Sequence, residues 1–377
     1  MVNLYSQTHP EPEEPKTQYC LCINRSCSKT KRPLSETNCG NCGSSLILNN
    51  RYRVTNVLMA TEKHQLDKSR LYNAIDIVEG KKSKVIKVLH TVNQEAIQRF
   101  ERSAEVLNNN WFEGIPKIDK AGYFQIRFPN DPIPASCLVM EKIEGIDLLQ
   151  WLNTPNNQPP NDQQTIDWLR KLTIILGRLH NKDYIHRDIK PSNIMVKNSG
   201  GEIILIDLDA GRPITKTVVD NKSLTVIGTD GYIPPEQRKG RTVTQSDFYA
   251  LGMTFVHLLT GKHPNELEED RNKKLRWRAS APQISPLLAE FIDKLIARSP
   301  EDRPKNAKEI LQKLEEIERN LEHQAKVNKW LNFYLKKIIG VIVFILVGIV
   351  FKFGIIDANT SKPPDNNLPT SQPQIPQ

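Results

Sequence analysis

The chain has 377 residues, of which 25% are charged and 7% are aromatic, and its formal net charge is +9. This length allows roughly two or three domains, and the composition is ordinary for a soluble region with a hydrophobic core. The basic residues are spread along the chain, so the charge excess gives no reason to expect a nucleic-acid partner. No internal repeat is visible, and no pattern specifies an oligomeric state.

Four cysteines near the N-terminus have the spacing of metal ligands. Cys22 and Cys27 form one pair, and Cys39 and Cys42 form a second pair in a tight Cys-x-x-Cys-Gly turn. Two such pairs of thiolates suit a structural Zn²⁺ in tetrahedral coordination. The first residues lack the pattern of a secretory signal, so we expect thiols rather than disulfides. Residues 1–48 are therefore predicted to form a small zinc-ribbon-like module.

Two alternatives to zinc remain open for these cysteines. One is a redox-sensing thiol cluster, which predicts that zinc is absent and that oxidants change the activity of the protein. The other is a loop without metal. Cys20 lies just before the first pair, and it either replaces Cys22 as a ligand or stays a free thiol.

Apolar strands and an amphipathic helix follow the cysteine module. Residues 54–58, 71–77 and 85–89 have the apolar content of strands, and the third of these carries Lys87 at its centre. Residues 94–108 have the periodicity of an amphipathic helix. A lone lysine in a strand is usually solvated, but the position of Lys87 after the strand-like segment 71–77 and before an amphipathic helix favours a functional role.

The most specific pattern in the chain is His-Arg-Asp-Ile-Lys-Pro-Ser-Asn at residues 186–193. Its order of groups is the one that phosphoryl transfer uses. Asp188 would accept the proton of a substrate hydroxyl, Lys190 would neutralise charge on the transferring phosphoryl group, and Asn193 would offer its amide oxygen to Mg²⁺. The alternative is a buried strand and turn with a satisfied histidine and an Arg-Asp pair.

Further patterns agree with this one in order and spacing. The apolar strand 203–206 ends in Asp207, where a second metal ligand would stand. Residues 228–236 read Gly-Thr-Asp-Gly-Tyr-Ile-Pro-Pro-Glu, and residues 246–252 read Ser-Asp-Phe-Tyr-Ala-Leu-Gly. With these motifs the chain resembles a Hanks-type (eukaryotic-like) Ser/Thr protein kinase from about residue 51 to about residue 320.

The resemblance implies an α+β, bilobal kinase fold with a small β-rich lobe and a larger helical lobe. ATP and Mg²⁺ would bind between the lobes, held by Lys87, Asp207 and Asn193. The γ-phosphoryl group would pass to a serine or threonine hydroxyl of a protein substrate, deprotonated by Asp188. The cysteine block also resembles the four-cysteine group of cyanobacterial kinases of this type.

The same resemblance assigns the nucleotide hinge. Met140 would be the gatekeeper behind the adenine, backbone groups of Glu141 and Ile143 would hydrogen-bond the base, and Asp147 would contact the ribose. It further implies that Glu236 and Arg303 pair as a structural ion pair. An arginine beside the catalytic base suggests control by a phosphorylated activation segment, with candidate sites at Thr217, Ser223 and Thr225.

Three departures from the family pattern concern positioning groups. Residues 59–70 contain no glycine where a glycine-rich loop is expected over the phosphates. Ser103 stands where a glutamate should pair with the strand lysine, and Glu101 and Glu105 lie on the wrong face of the helix. Either the helix is shifted so that one of them pairs, or the lysine lacks its usual partner. Asp209 replaces a glycine after the metal-binding aspartate and its apolar neighbour.

The groups that perform the chemistry are all present, so we expect an active kinase rather than a pseudokinase. The alternative is a scaffold that binds nucleotide or a protein partner without phosphoryl transfer. Measured activity with and without the aspartate at position 188 separates the two.

The C-terminal region carries an apolar run at residues 338–356. Nineteen residues at helical rise cover about 28 Å, close to the thickness of a bilayer core, and Lys352 can snorkel to the interface. We predict a single transmembrane helix here, with membrane lipid as its partner. The segment before it, residues 321–337, is predicted to be a basic juxtamembrane helix or linker.

Charge on the two sides of this run sets the expected orientation. The lysines before it outnumber those after it, and they are Lys326, Lys329, Lys336 and Lys337 against Lys362. The positive-inside rule then places the kinase domain in the cytoplasm of a single-pass cell-membrane protein. Residues 357–377 are rich in Pro, Asn, Gln and Ser, and they are expected to be a disordered tail outside the cell.

Overall fold

The computed structural model describes residues 19–59, 69–109, 112–213 and 228–358. Most of the glycine-free stretch and the candidate phosphorylation sites Thr217, Ser223 and Thr225 lie outside these ranges. So does the tail beyond residue 358. The chain divides into two compact units, Met1–Glu315 and Glu316–Gln377.

The first unit begins with the cysteine module, which we define as residues 19–48. Strand β1 (Tyr19–Leu21) pairs antiparallel with β2 (Lys31–Pro33). The rest of the module consists of turns, because short Cys-containing segments curl back on themselves to bring their thiols together.

An antiparallel sheet follows, and within the described ranges its strands lie in the order β3-β4-β5-β7-β6. Their bounds are β3 Tyr52–Met59, β4 Arg70–Asp76, β5 Lys82–His90, β6 Ile118–Ile126 and β7 Ala135–Glu141. Val54, Ala74, Ile86 and Val139 from four of these strands are buried in a common hydrophobic core. Helix α1 (Gln94–Asn109) connects β5 to β6. Strands β3, β4 and β5 and helix α1 agree with the sequence prediction.

The cysteine module packs on this sheet. Ile23 is 6% exposed and belongs to the same hydrophobic cluster as Tyr52, Val54 and Phe128. Polar contacts surround the apolar one, since Nδ2 of Asn24 donates to the carbonyl of Pro129 (2.9 Å) and Nη1 of Arg53 donates to the carbonyl of Glu36 (2.9 Å). The module therefore shares a hydrophobic core with the sheet.

The helical part of the first unit is built around long buried helices. Helix bounds are α2 Leu148–Asn153, α3 Asp162–His180, α4 Pro235–Arg238, α5 Thr244–Thr260 and α6 Pro286–Leu295. Short strands lie beside them, namely β8 Gly145–Asp147, β9 Tyr184–Ile185, β10 Ile194–Lys197, β11 Ile203–Leu205 and β12 Arg212–Pro213. Among the described residues β10 lies between β11 and β8, and β12 pairs with β9. This arrangement brings the loop after β9 and the end of β11 together.

The predicted pair between Glu236 and Arg303 is confirmed. Nη1 of Arg303 lies 2.7 Å from Oε1 of Glu236, and Nη2 lies 3.1 Å from Oε2, so the two groups meet in a bidentate contact. The arginine side chain is fully buried. The pair joins α4 to the segment before the last helix.

Helix α7 runs from Ala307 to Ala358 without interruption. Ile310 and Leu314 at its start are buried, whereas the apolar side chains described from Val327 to Ile349 are exposed. In the part of the chain that the structure describes, this is the helix long and apolar enough to cross a membrane, with a mean hydropathy of 1.9 in a window of which 0% is buried. It includes the residues predicted as linker and span, and it ends two residues inside the predicted tail.

Candidate functional site

The loop at residues 186–193 is held by a buried carboxylate from helix α5. Asp247 is fully buried, and its two oxygens accept hydrogen bonds from the backbone N–H groups of His186 (2.9 Å) and Arg187 (2.8 Å). A third contact runs from Oδ2 to Nε2 of His180 (2.8 Å). Burial raises the pKa of Asp247, but His180 and the other donors outweigh burial and leave the pKa below its ordinary value. The carboxylate thus fixes the backbone that carries Asp188.

Asp188 stands at the centre of a polar cluster. Its Oδ1 accepts from the hydroxyl of Thr229 (2.7 Å), and its Oδ2 lies 2.9 Å from Nζ of Lys190 and 3.1 Å from Nδ2 of Asn193. Nζ of Lys190 also donates to Oγ1 of Thr229 (2.6 Å). The structure therefore brings together three of the predicted catalytic residues, Asp188, Lys190 and Asn193.

Asp207 is placed by the pairing of β10 with β11. The backbone N–H of Ile206 donates to the carbonyl of Asn193 (2.9 Å), which ties the end of β11 to the catalytic loop. The carbonyl of Ile206 lies 3.2 Å from Nε2 of His186. Asp207 itself has a φ of +64°, a left-handed conformation that aspartate tolerates better than most residues. The turn directs the chain away from the sheet immediately after β11.

Lys87 projects from β5 into this region and is almost fully buried. Its Nζ lies 2.5 Å from Oδ1 of Asp207 and 2.7 Å from Oδ2 of Asp209. The ion-pair partners of this ammonium group are these two aspartates and not the glutamates that flank Ser103 on α1. Glu101 accepts from the hydroxyl of Tyr123 (2.9 Å). The lysine thus lacks a glutamate partner from α1, which was the second of the two alternatives left open by the sequence.

The charges around Lys87 shift one another. Burial lowers the pKa of Lys87, but the carboxylates of Asp207 and Asp209 together outweigh burial and hold the pKa above its ordinary value. Burial also works to raise the pKa of Asp207, whereas the ammonium of Lys87 dominates and lowers that pKa to about 2. For Asp209, burial is the largest influence and its pKa is raised. Asp207 is therefore ionised at neutral pH.

The predicted hinge follows the end of β7. The backbone N–H of Glu141 donates to the carbonyl of Lys117 (2.8 Å). Ile143 is buried, and Met140 lies one residue before Glu141 at the end of the strand. Oδ1 of Asp147 caps helix α2 by accepting from Gln150 N–H (2.8 Å). A ribose contact at Asp147 would then use its other oxygen.

A glycine shapes the start of the segment after the hinge. Gly145 packs against β10 so closely that a Cβ on it would lie 2.1 Å from the carbonyl oxygen of Val196. A larger residue would push β8 off β10 and move Asp147 with it.

The four predicted zinc ligands come together in the cysteine module. Sγ of Cys22 lies 3.6 Å from Sγ of Cys42, Sγ of Cys27 lies 3.7 Å from Sγ of Cys39, and all four lie within 4.8 Å of one another. A tetrahedral site with zinc–sulfur bonds of about 2.3 Å places its sulfurs about 3.8 Å apart, so the cluster has the size that zinc requires. Cys20 is not part of the cluster, since its thiol points at the carbonyl of Pro33 (3.6 Å). All six cysteines are free thiols.

Sequence reasoning missed three residues of this site. Thr229 forms hydrogen bonds with both Asp188 and Lys190. The only indication of this residue in the sequence was its place in the motif at residues 228–236. Asp247 lies in the motif at residues 246–252, but its hydrogen bonds to the backbone of the catalytic loop were not predicted. Asp209 was noted as a departure in the same way as Ser103, and only their proximity shows that the two departures belong together.

Comparison with known proteins agrees with this geometry. The family described as "Protein kinase domain" matches residues 72–314, which is more than half of the chain. Serine/threonine-protein kinase PknA of Nostoc sp. is 38% identical over 225 residues, covering 58% of this chain and 38% of that protein. Serine/threonine-protein kinase B of Synechocystis sp. is 30% identical over 311 residues, covering 78% of this chain and 51% of that protein. The chain spans roughly a third to a half of the length of the curated relatives it matches.

Solved structures show the same fold. The kinase domain of Mycobacterium tuberculosis PknI superimposes with a TM-score of 0.53 at 20% sequence identity, covering 70% of this chain and 95% of that one. The predicted kinase fold and the resemblance to Hanks-type Ser/Thr kinases are thus confirmed, together with the N-terminal cysteine cluster and the apolar C-terminal helix. This chain belongs to the protein kinase domain family.

Proposed function

We propose that this chain is an active serine/threonine protein kinase that transfers the γ-phosphoryl group of ATP to protein hydroxyls. The observation that carries the proposal is the cluster around Asp188. Oδ1 of its carboxylate is fixed by Thr229 and Oδ2 by Lys190 and Asn193, at 2.7 to 3.1 Å. A scaffold that binds nucleotide without chemistry has no need of a carboxylate oriented in this way.

The residues divide the work of the reaction. Asp188 accepts the proton of the substrate hydroxyl at its carboxylate, and the backbone clasp of Asp247 keeps that carboxylate in place. The ammonium of Lys190 neutralises charge on the transferring group, and its hydrogen bond to Thr229 orients it. Alignment and charge stabilisation of this kind supply most of the catalysis in phosphoryl transfer.

The chain also offers a donor set that suits Mg²⁺ and ATP. The Nδ2 of Asn193 donates to Asp188, which leaves its amide oxygen for a metal ion, and Asp207 is an ionised carboxylate next to it in the fold. Oxygen ligands of this kind are those that Mg²⁺ prefers, and Lys87 is placed to contact phosphates. When bound, the ion neutralises negative charge on the phosphates. The backbone of Glu141 and Ile143 would hold the base, Met140 would lie behind it, and Asp147 would face the ribose.

The test compares the full chain with an Asp188→Asn variant in detergent, using radiolabelled ATP, Mg²⁺ and a generic basic protein. We expect incorporation of phosphate by the wild type and a loss of at least about a hundredfold in the variant, because general-base catalysis contributes factors of that order. Equal, background-level incorporation by both proteins would refute the proposal and favour the pseudokinase scaffold.

We further propose that the cysteine module binds one structural zinc ion through Cys22, Cys27, Cys39 and Cys42. Support comes from the sulfur–sulfur distances of 3.6 and 3.7 Å and from the absence of disulfides among these residues. Elemental analysis of the purified chain should find about one zinc per chain. A chain that contains no zinc and whose activity responds to oxidant would instead support the redox role.

The apolar part of α7 supports a membrane anchor. Residues 338–356 are long enough to span a bilayer core at about 28 Å, and Trp330 and Tyr334 lie just before them, as aromatic residues do at membrane interfaces. The lysines before the span favour a cytoplasmic kinase domain and an external tail. The full chain should resist carbonate extraction from membranes, and a chain cut after Lys337 should be released. Release of both would refute the anchor.

A further inference from the structure

The ion pairs of Lys87 come from an unexpected part of the chain. Its side chain is 6% exposed, and its ammonium lies 2.5 Å from Asp207 and 2.7 Å from Asp209. Removing an ammonium group from water is unfavourable unless charge partners and hydrogen bonds compensate. Among the described residues, both ion-pair partners follow β11 directly, so a single three-residue segment supplies them.

Helix α1 faces this site with a hydroxyl group instead of a carboxylate. Ser103 is fully buried, and its Oγ lies 2.8 Å from the carbonyl of Phe100 and 3.1 Å from Oδ1 of Asp209. Glu105, two residues further on, is exposed, and Glu101 is engaged by a tyrosine hydroxyl on β6. The helix therefore leaves a place beside the lysine that a carboxylate from elsewhere can fill.

The carboxylate of Asp209 fills that place. Its Oδ2 contacts Nζ of Lys87 and lies 3.4 Å from Oγ of Ser69, and its Oδ1 contacts Oγ of Ser103. One side chain thus links the sheet, helix α1 and the segment after β11. With a glycine at position 209 and a glutamate at position 103, the carboxylate that pairs with Lys87 would come from helix α1 instead of from the segment after β11.

The two carboxylates on Lys87 are not equivalent. The side chain of Asp207 is 42% exposed, and its carboxylate is the proposed metal ligand. That of Asp209 is 27% exposed and is held by hydrogen bonds to Ser103 on helix α1 and to Ser69, just before β4. A metal ion held by Asp207 would compete with Lys87 for that carboxylate, whereas Asp209 would remain paired with Lys87.

We propose that Asp209 is the positioning residue of Lys87: it replaces, from the segment after β11, the carboxylate that helix α1 lacks at Ser103. The inference rests on the proposed kinase function for its role in catalysis, while the contact itself is independent of catalysis. It follows that the segment that carries Asp207 also orients Lys87. A movement of this segment would therefore shift Asp207 and the ammonium of Lys87 together.

Two readouts test the proposal on the full chain in detergent. The first is kcat/KM for ATP, with kcat and KM determined separately. The second is the rate at which a small amine-reactive reagent labels Lys87 in the absence of nucleotide, followed by peptide mass spectrometry across pH. Removal of one close carboxylate lowers a lysine pKa by about one unit or more, so labelling at fixed pH should rise about tenfold or more in Asp209→Asn.

The key variants exchange the two positions. Asp209→Asn and Asp209→Gly should each lower kcat/KM by about tenfold to a hundredfold, as expected for a lost charge-assisted hydrogen bond. Ser103→Glu alone places a third carboxylate at one ammonium and should also lower kcat/KM. The double variant Ser103→Glu/Asp209→Gly should recover most of the activity and the wild-type labelling rate. The matched control Glu105→Gln, an exposed position on α1, should behave as wild type.

The outcomes separate this proposal from the proposed function. Wild-type labelling of Lys87 in Asp209→Asn, or a kcat/KM of that variant within about threefold of an active wild type, overturns the role of Asp209. A double variant no better than Asp209→Gly, with both folded by thermal unfolding, overturns the exchange of positions. If the wild type transfers no phosphate while labelling changes as expected, the contact stands and the proposed kinase activity falls. The isosteric Asp209→Asn keeps the test decisive if the glycine variant does not fold.

Discussion

The shared core between the cysteine module and the sheet predicts that Ile23 stabilises the kinase domain. Ile23 follows Cys22 in the module and is not one of the four proposed zinc ligands. It is nevertheless only 6% exposed, and it packs with Tyr52, Val54 and Phe128. An Ile23→Ala substitution removes these contacts and leaves a cavity that the surrounding β-sheet can only partly close.

The expected loss follows from this burial. Isoleucine-to-alanine substitutions in cores cost about 2–5 kcal/mol, and the near-complete burial of Ile23 puts the estimate near 3 kcal/mol. The unit Met1–Glu315 has an unfolding entropy that corresponds to about 1.5 °C in Tm per kcal/mol, so Ile23→Ala should lower the Tm of the full chain by roughly 4–5 °C. Zinc content should stay at the wild-type level, because Ile23 contributes no ligand.

The assay is thermal unfolding of the full chain in detergent with zinc present, followed by circular dichroism. Leu34→Ala is the matched control, since Leu34 lies in the same module but is 38% exposed. Surface substitutions of this kind stay within about 0.5 kcal/mol. If Ile23→Ala and Leu34→Ala unfold at the same temperature with equal zinc content, the module does not share its core with the sheet, and the packing argument is wrong.

Three further predictions address the metal, the buried ion pair and pH. Cys39→Ser, or treatment with a zinc chelator, should lower the Tm of the whole kinase unit and not only disorder the module. The reason is that the binding free energy of a structural zinc ion contributes to the free energy of folding. An unchanged Tm after complete zinc loss would contradict this. Arg303→Ala should destabilise the chain by about 3–5 kcal/mol by leaving Glu236 without its partner in a mostly buried site, and Arg303→Ala/Glu236→Gln should recover part of that loss in chemical denaturation. Burial lowers the pKa of His90 to about 4 from an ordinary 6.5. Between pH 6.5 and 4 the unfolded chain therefore takes up a proton at His90 that the folded chain does not, so the free energy of unfolding should fall by up to about 3 kcal/mol as the pH drops. His90→Leu should remove this part of the pH dependence, and identical pH profiles of the two proteins would refute it.

Local patterns were enough to predict the catalytic loop, the metal-binding aspartate and the cysteine cluster. These features depend on residue types at fixed spacing, such as Asp188 and Asn193 in one turn or Cys39 and Cys42 in another, and a short segment carries them wherever it is placed. The apolar run of α7 is equally visible, because its hydrophobicity is a property of consecutive residues.

Contacts between distant segments were decided only by the tertiary structure. The partner of Lys87 depends on which carboxylate reaches a buried ammonium across 120 residues of sequence, and spacing along the chain does not encode that distance. Thr229 reaches Asp188 for the same reason, and Ile23 becomes a core residue only because the sheet covers it. The sequence by itself determined which chemical groups are available and which local segments carry them. Folding decided which of these groups lose water together, and that loss of water selects the ion pairs and cores that form.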